Sequence, residues 1–241
     1  MEPTVLFSVE DGIALITLNR PQRHNAINQS LLVELYNCID EITANKNIRV
    51  AILTGQGKSF CSGLDLDVIK TENLFNPRGD NRDLPDVMGA CHKPFIGAIN
   101  GNAITGGFEL ALNCDFLIAS ERAAFADTHA RVGIHPGWGM TQLLQECVGQ
   151  KRAKQISHTG QFFGAERAHQ WGLVNEVVPH EMLIPRAKQI AGDICSTNPD
   201  MSATIKDLIE YRNQGTLSQA IKKERDGFFN FLKENKFIDN M

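Results

Sequence analysis

Residues 49–67 read RVAILTGQGKSFCSGLDLD, an apolar run that breaks into Gly-Gln-Gly-Lys-Ser and then into Cys-Ser-Gly-Leu-Asp. The run predicts a buried strand, and the glycines predict turns at its end. A strand feeding Gly-Lys-Ser invites a nucleotide-phosphate reading, which fails on spacing. A P-loop carries a glycine five positions before its Gly-Lys, so that successive amides wrap the phosphates. Counting back from Gly57, that position is Ile52, inside the apolar run, and Gly55 is too close to Gly57 to open such a loop. The stretch is instead a strand and turn leading to a second loop, Ser62-Gly63-Leu64-Asp65, running into a polar-flanked helix.

On the N-terminal side, VLFSVEDGIALITLNR predicts two strands joined at Asp11-Gly12, a two-residue hairpin signal. Asn28 is a good N-cap for a helix with Leu31, Leu32, Leu35, Ile39 and Ile42 on one face. On the other side, residues 70–90 are polar and rich in Pro, Asn and Asp, which predicts a mobile loop. PFIGAIN, FLIAS and AAFADTH read as strands, FELALNCD as a helix, and GWGMTQLLQECVG, KRAKQISHTG and AERAHQWG as short helices before a last strand at NEVV. From Glu181 onward the pattern is helical, with breakers at Gly192 and Pro199. Repeated strand–helix units followed by a helical tail predict an α/β fold with a C-terminal helical subdomain.

The 241 residues are 42% hydrophobic, enough for one large core or two modest ones. A net charge of -4, with 22% charged residues, argues against a nucleic-acid binder, which would carry a basic excess. The start, MEPTVLFSVEDG, lacks the positive n-region of a secretory signal, and the apolar stretches are too short to span a bilayer. The end, FIDNM, carries no Ser-Lys-Leu signal, so a cytoplasmic protein with no membrane partner is expected. Six cysteines are scattered without a Cys-x-x-Cys pair or a histidine at metal spacing; reduced thiols and no metal site are expected. Only Cys61 lies in the loop under study.

Residues 100–115, NGNAITGGFELALNCD, hold a second glycine corner. Gly106-Gly107 before a helix exposes amides suited to a developing negative charge, or simply permits close helix–strand packing. Glu109 follows within the first turn, among Phe108, Leu110, Ala111 and Leu112. A carboxylate in apolar sequence usually has a partner or a task, although a surface Glu also suits a helix start. The loops at Leu64 and Gly106, 42 residues apart, can each lend one backbone N–H to the same oxygen, as an oxyanion hole does.

With LNRPQRHNAI, ILTGQGKSFCSGLDL, KPFIGAINGNAITGGFELALNCDFLIAS and QWGLVNEVV in this order, nearly the whole chain resembles the crotonase superfamily, the enoyl-CoA hydratase/isomerase family. The resemblance implies a spiral of strand-strand-helix repeats over residues 1–190 and a helical trimerisation region over residues 191–241, giving homotrimers or hexamers. It implies an acyl-CoA substrate, with coenzyme A part of that substrate and no separate cofactor. The amides matching Leu64 and Gly106 would hold the thioester oxygen. Arg23, Ala26, Ser62, Gly63, Leu64, Asp65 and Gly106 match parts that bind the CoA and acyl moieties, and Arg20, Arg23 and Lys58 are candidate phosphate partners.

The resemblance implies most directly an enoyl-CoA hydratase, with Glu109 as one of the two glutamates that hold water in such enzymes. At the second position this chain has His129. Isomerases usually need a carboxylate there, and members with an Asp eight residues on would need it at Gly137. His129 would then be catalytic or merely structural, and Asp127 would orient it or replace the missing carboxylate. Phe125, Asp127 and His129 share a face if 125–129 is a strand. Trp138 and Phe108 would shape an acyl pocket or pack the core, and His135 is a lesser candidate. Isomerisation, decarboxylation, thioester hydrolysis and an idle acyl-CoA binder are the alternatives.

Overall fold

A computed structural model describes residues 2–234, which divide into two compact units between Ser196 and Thr197. The expected boundary after residue 190 lies inside a helix of the first unit, Leu183–Cys195. Its Ala187 and Ala191 are wholly buried in the sheet core, which ties this helix to the first unit.

The first unit opens with β1 (Val5–Glu10) and β2 (Ile13–Leu18), an antiparallel pair in which Glu10 faces Ile13. Asp11 and Gly12 both take positive φ (51° and 81°), the two-residue turn whose twist matches that of the strands. Next comes α1 (Gln29–Ala44), started by the Asn28 side chain, which accepts from the Leu31 N–H at 3.0 Å. The face expected to be apolar is buried along its length.

Three strand-strand-helix units follow: β3 (Val50–Gly55), β4 (Ser59–Cys61) and α2 (Leu84–Gly89); β5 (Phe95–Ile99), β6 (Asn102–Ile104) and α3 (Gly106–Leu112); β7 (Phe116–Ser120), β8 (Ala124–Ala126) and α4 (His129–Val132). The first strand of each unit joins one sheet and the second joins another. With β9 (Phe163–Gly164) and β10 (Glu176–Val178), the six-stranded sheet runs β1-β2-β3-β5-β7-β10 and the four-stranded sheet β4-β6-β8-β9, which is the expected spiral. The remaining elements are α5 (Met140–Val148), α6 (Gln150–Thr159), α7 (Ala165–Gln170) and α8 (Leu183–Cys195).

β3 shows why its sequence is apolar throughout. Ala51 and Leu53 join the main core, whereas Val50 and Ile52 meet α8 on the opposite face. A parallel strand covered on both faces loses the alternation of a half-buried one.

Three local expectations are corrected. Residues 70–90 are tied down: Leu74, Leu84, Val87 and Met88 are buried, Asp83 and Asp86 cap α2 reciprocally, and Arg78 and Arg82 pair with Asp40. The segment after Asp65 forms turns rather than a helix. The strand expected through residue 129 stops at Ala126, because its ladder with β6 ends at the Ile104–Ala126 pair.

The second unit contains α9 (Pro199–Tyr211), capped by Asn198, and α10 (Leu217–Glu234). Neither buries a residue fully, and Ile205, Ile209, Leu217, Ile221 and Phe228 are all exposed.

Candidate active site

Two buried asparagines shape the loop that carries Leu64. Asn25 Nδ2 donates to the carbonyls of Gln56, Ser59 and Phe60 (3.0, 2.8 and 3.1 Å), while its Oδ1 accepts from the Arg20 N–H (2.8 Å). Asn100 accepts from the Gly55 N–H (3.0 Å) and donates to Gly57 O (3.0 Å). The Gly-Lys-Ser turn is thus held by side chains from its two neighbours. Beyond it, Ile27 N–H donates to Gly63 O and Asp65 N–H to Ile27 O, both at 2.8 Å. This bridge engages the groups flanking Leu64, so the Leu64 N–H itself turns to the other side of the strand.

Gly106 lies on that other side. A Cβ placed on it would sit 3.5 Å from the Leu64 nitrogen and 3.5 Å from Trp138 Cζ3, ordinary contact in an open recess. Gly107 differs: a Cβ there would fall 2.1 Å from the Cys61 carbonyl oxygen. The two readings of the glycine pair are therefore divided between its members. Gly107 allows α3 to pack on β4, and Gly106 leaves space between two amides. Gly63, with φ of 92°, brings its own loop against the end of β6.

Thr105, immediately before, has φ of 52° and ψ of -114°, a backbone conformation costly for a β-branched residue. It is held from several directions. Its N–H donates to Ala126 O (2.9 Å), its hydroxyl contacts that of Thr128 and accepts from the Thr128 N–H, and its carbonyl accepts from the Glu109 N–H (2.8 Å). This residue joins the corner that presents Gly106 to the turn that presents His129.

Glu109 is only 3% exposed. Its Oε1 accepts from the N–H groups of Gly137, Trp138 and Met140 at 3.2, 2.8 and 3.3 Å, which satisfies one oxygen of a buried carboxylate. Its Oε2 faces His129 Nε2 at 3.6 Å. On the far side of the ring, His129 Nδ1 is 2.7 Å from Asp127 Oδ1, which also accepts the His129 backbone N–H at 3.1 Å. A turn at the start of α4, not strand alternation, brings Asp127 and His129 together, and Phe125 points into an aromatic core with Phe108 and Phe163.

Burial disfavours a charged His129, but the bond to Asp127 and the facing Glu109 outweigh it, and the imidazole pKa is pushed up to about 9. Burial likewise raises Asp127, yet hydrogen bonds from His129 and Ser157 hold it below the usual carboxylate range. Cys61 is inert: burial pushes its thiol up to about 12, and it donates to Asn25 O.

Leu64, Gly106, Glu109 and His129 line one cavity of about 80 Å³, wide enough for a water and a few carbon atoms. Its apolar wall includes Leu66, Phe75, Val132, Ile134 and Trp138. Trp138 packs into the wall, His135 reaches the rim, and Ser62 joins the polar side. Arg23, Ala26 and Asp65 line an adjoining surface hollow with Leu64. Arg20 and Arg23 each pair with Asp65 at 3.0 Å, so both cations also brace the Leu64 loop. Lys58 lines neither hollow. Sequence reasoning missed the bracing asparagines and the strained Thr105. Asn25 lies in the LNRPQRHNAI motif, but the carbonyls it bonds lie more than thirty residues away.

The sequence model of the enoyl-CoA hydratase/isomerase family matches residues 8–240. The chain is 40% identical over 220 residues to a probable peroxisomal enoyl-CoA hydratase of Arabidopsis thaliana, covering 89% of this chain and 81% of that protein. It is 34% identical to a crotonyl-CoA hydratase of Syntrophomonas wolfei, covering 93% and 88%. Among solved structures, an enoyl-CoA hydratase of Mycobacterium marinum superposes with a TM-score of 0.89 at 31% identity, covering 97% of this chain and 92% of that one. No helix among the described residues is long and apolar enough to cross a membrane. A match that spans almost the entire sequence, together with the two-sheet spiral, shows that the chain belongs to the enoyl-CoA hydratase/isomerase family.

Proposed function

We propose that this protein is an enoyl-CoA hydratase that adds water across the 2,3-double bond of a 2-enoyl-CoA thioester. The observation that carries the reading is the convergence, in one cavity, of the Leu64 and Gly106 corners with the Glu109–His129 pair. The thioester oxygen sits between the two amides, which stabilise the enolate as charge moves onto it. Glu109 exchanges a proton with the water, and its three backbone bonds fix the carboxylate for that task. His129 completes the polar wall facing the reacting carbons. The loop from Arg23 to Ala26 and the Ser62–Asp65 loop hold the CoA portion, with Arg23, 45% exposed, the cation best placed to reach a phosphate. Coenzyme A belongs to the substrate, and no separate cofactor takes part.

Crotonyl-CoA hydration by the wild type and by Glu109→Gln tests this. The variant keeps the shape of the side chain and loses its basicity, so kcat falls by on the order of 10² to 10⁴. Equal turnover in both would remove Glu109 from the mechanism. The histidine opposite Glu109 favours one second reading, a different enolate reaction such as isomerisation, decarboxylation or thioester hydrolysis. A panel of acyl-CoA substrates followed by mass spectrometry separates these by product mass and double-bond position. We further propose that the protein works as a homotrimer or as paired trimers. Support comes from the apolar side chains that α9 and α10 leave exposed.

A further inference from the structure

Asp127 is buried yet does not line the cavity. Its side-chain hydrogen bonds go to His129 and to Ser157 of α6. One oxygen, Oδ1, accepts both the backbone N–H and the ring Nδ1 of His129, at 3.1 and 2.7 Å. A carboxylate at Nδ1 fixes a proton there and sets the orientation of the ring. The other nitrogen, Nε2, is then the one that faces the cavity and Glu109 Oε2, 3.6 Å away. That gap is too long for a direct hydrogen bond and short enough for both groups to reach one substrate.

We propose that Asp127 is a positioning residue that holds His129 as an imidazolium with its Nε2–H turned toward the reacting carbons, so that His129 is the general acid and Glu109 the general base. This rests on the hydratase reading above. As the water oxygen bonds to C3, one of its protons passes to Glu109 Oε2 and the double-bond pair moves through C2 onto the thioester oxygen. The enolate then collapses, and C2 takes the proton from His129 Nε2. Glu109 is left as a carboxylic acid beside a neutral imidazole. Transfer of that proton from Oε2 to Nε2 restores both groups, and the sum is the addition of one water.

The groups facing His129 are consistent with this division. Asp127 approaches from the turn after β8 and Glu109 from α3, Ser157 of α6 donates to Asp127, and His135 lines the same cavity at its rim. The two carboxylates outweigh the burial that opposes the cation, which places the imidazole pKa at about 9.

The test has a readout that needs no substrate. The His129 imidazole, assigned by difference from His129→Gln, is titrated by NMR in the free protein. A midpoint near 9 is expected in the wild type, and one shifted toward the ordinary 6.5 by at least tenfold in acidity in Asp127→Asn. In crotonyl-CoA hydration, Asp127→Asn lowers kcat on the order of 10- to 100-fold, leaves KM within about threefold and moves the basic limb of the pH profile to lower pH, while Asp127→Glu recovers part of the rate. An unshifted midpoint together with an unchanged kcat in Asp127→Asn would overturn the proposal. So would a wild-type imidazole that titrates at its ordinary value, a result that stands even if the variant fails to fold. If the wild type hydrates no 2-enoyl-CoA, the hydratase reading fails, while the titration still judges the Asp127–His129 arrangement separately.

Discussion

Adjacent glycines at 106 and 107 look interchangeable and have opposite surroundings. At Gly107 a methyl group meets the Cys61 carbonyl at 2.1 Å, a clash with backbone that only movement of α3 relieves. At Gly106 the same methyl meets nothing closer than 3.5 Å, but it fills the recess between the Leu64 and Gly106 amides. Gly107→Ala is therefore expected to lose stability, by about 2–4 kcal/mol or to the point of misfolding, as overpacking and strain do. Gly106→Ala is expected to melt within a few degrees of the wild type and to lose on the order of 10²-fold in kcat/KM, because the thioester oxygen no longer reaches its donors. Thermal melts and steady-state rates on the two variants check this. A Gly106→Ala protein with wild-type rates would place the carbonyl elsewhere.

Among the elements, the short β4–β6–β8 sheet matters most, because every corner of the site starts at one of its strand ends. Strands β4, β6 and β8 are three residues each and supply few hydrogen bonds, so buried side chains hold the connecting loops. Asn25 is the main brace, and Asn25→Ala removes a side-chain donor from the carbonyls of Gln56, Ser59 and Phe60, of which Ser59 O keeps only a longer bond from Asn100. A loss of about 2–3 kcal/mol is expected in chemical denaturation, along with weaker binding of acyl-CoA as the Leu64 loop loosens. A loss below 0.5 kcal/mol would show that water replaces the side chain.

The Asp11-Gly12 hairpin and the Asn28 cap are readable in the sequence because their chemistry is complete within a few residues. The glycine turns that follow β4 and β6 are readable too, since glycines after apolar runs mark strand ends. The turn at 127–129 was misread as strand because β8 ends where its partner ends, a fact that lies in β6. Helix α2 was hidden because a polar, proline-containing segment masks Leu84, Val87 and Met88. That Glu109 is held by the amides of Gly137, Trp138 and Met140 could not be read at all, as no local pattern records a contact across 28 residues or more.

For the whole molecule, the contrast between the two units is informative. The first encloses an aliphatic and aromatic core on both faces of its main sheet. The second leaves Ile209 69% exposed and Phe228 57% exposed, apolar surface that an isolated chain would pay to keep in water. Light scattering is expected to give a mass of three or six chains, and Ile209→Asp to shift it toward the monomer. A wild-type monomer at micromolar concentration would contradict the proposed assembly.

The central claim is that water adds to C3 of an enoyl thioester while the thioester bond survives. The most direct measurement is incubation with crotonyl-CoA in ¹⁸O-labelled water, followed by mass spectrometry of the product. The expected product is a 3-hydroxyacyl-CoA carrying one ¹⁸O atom in its hydroxyl group and none in its thioester, with Glu109→Gln forming little of it. Free coenzyme A with label in a released carboxylate, an unlabelled isomer, or no product would contradict it.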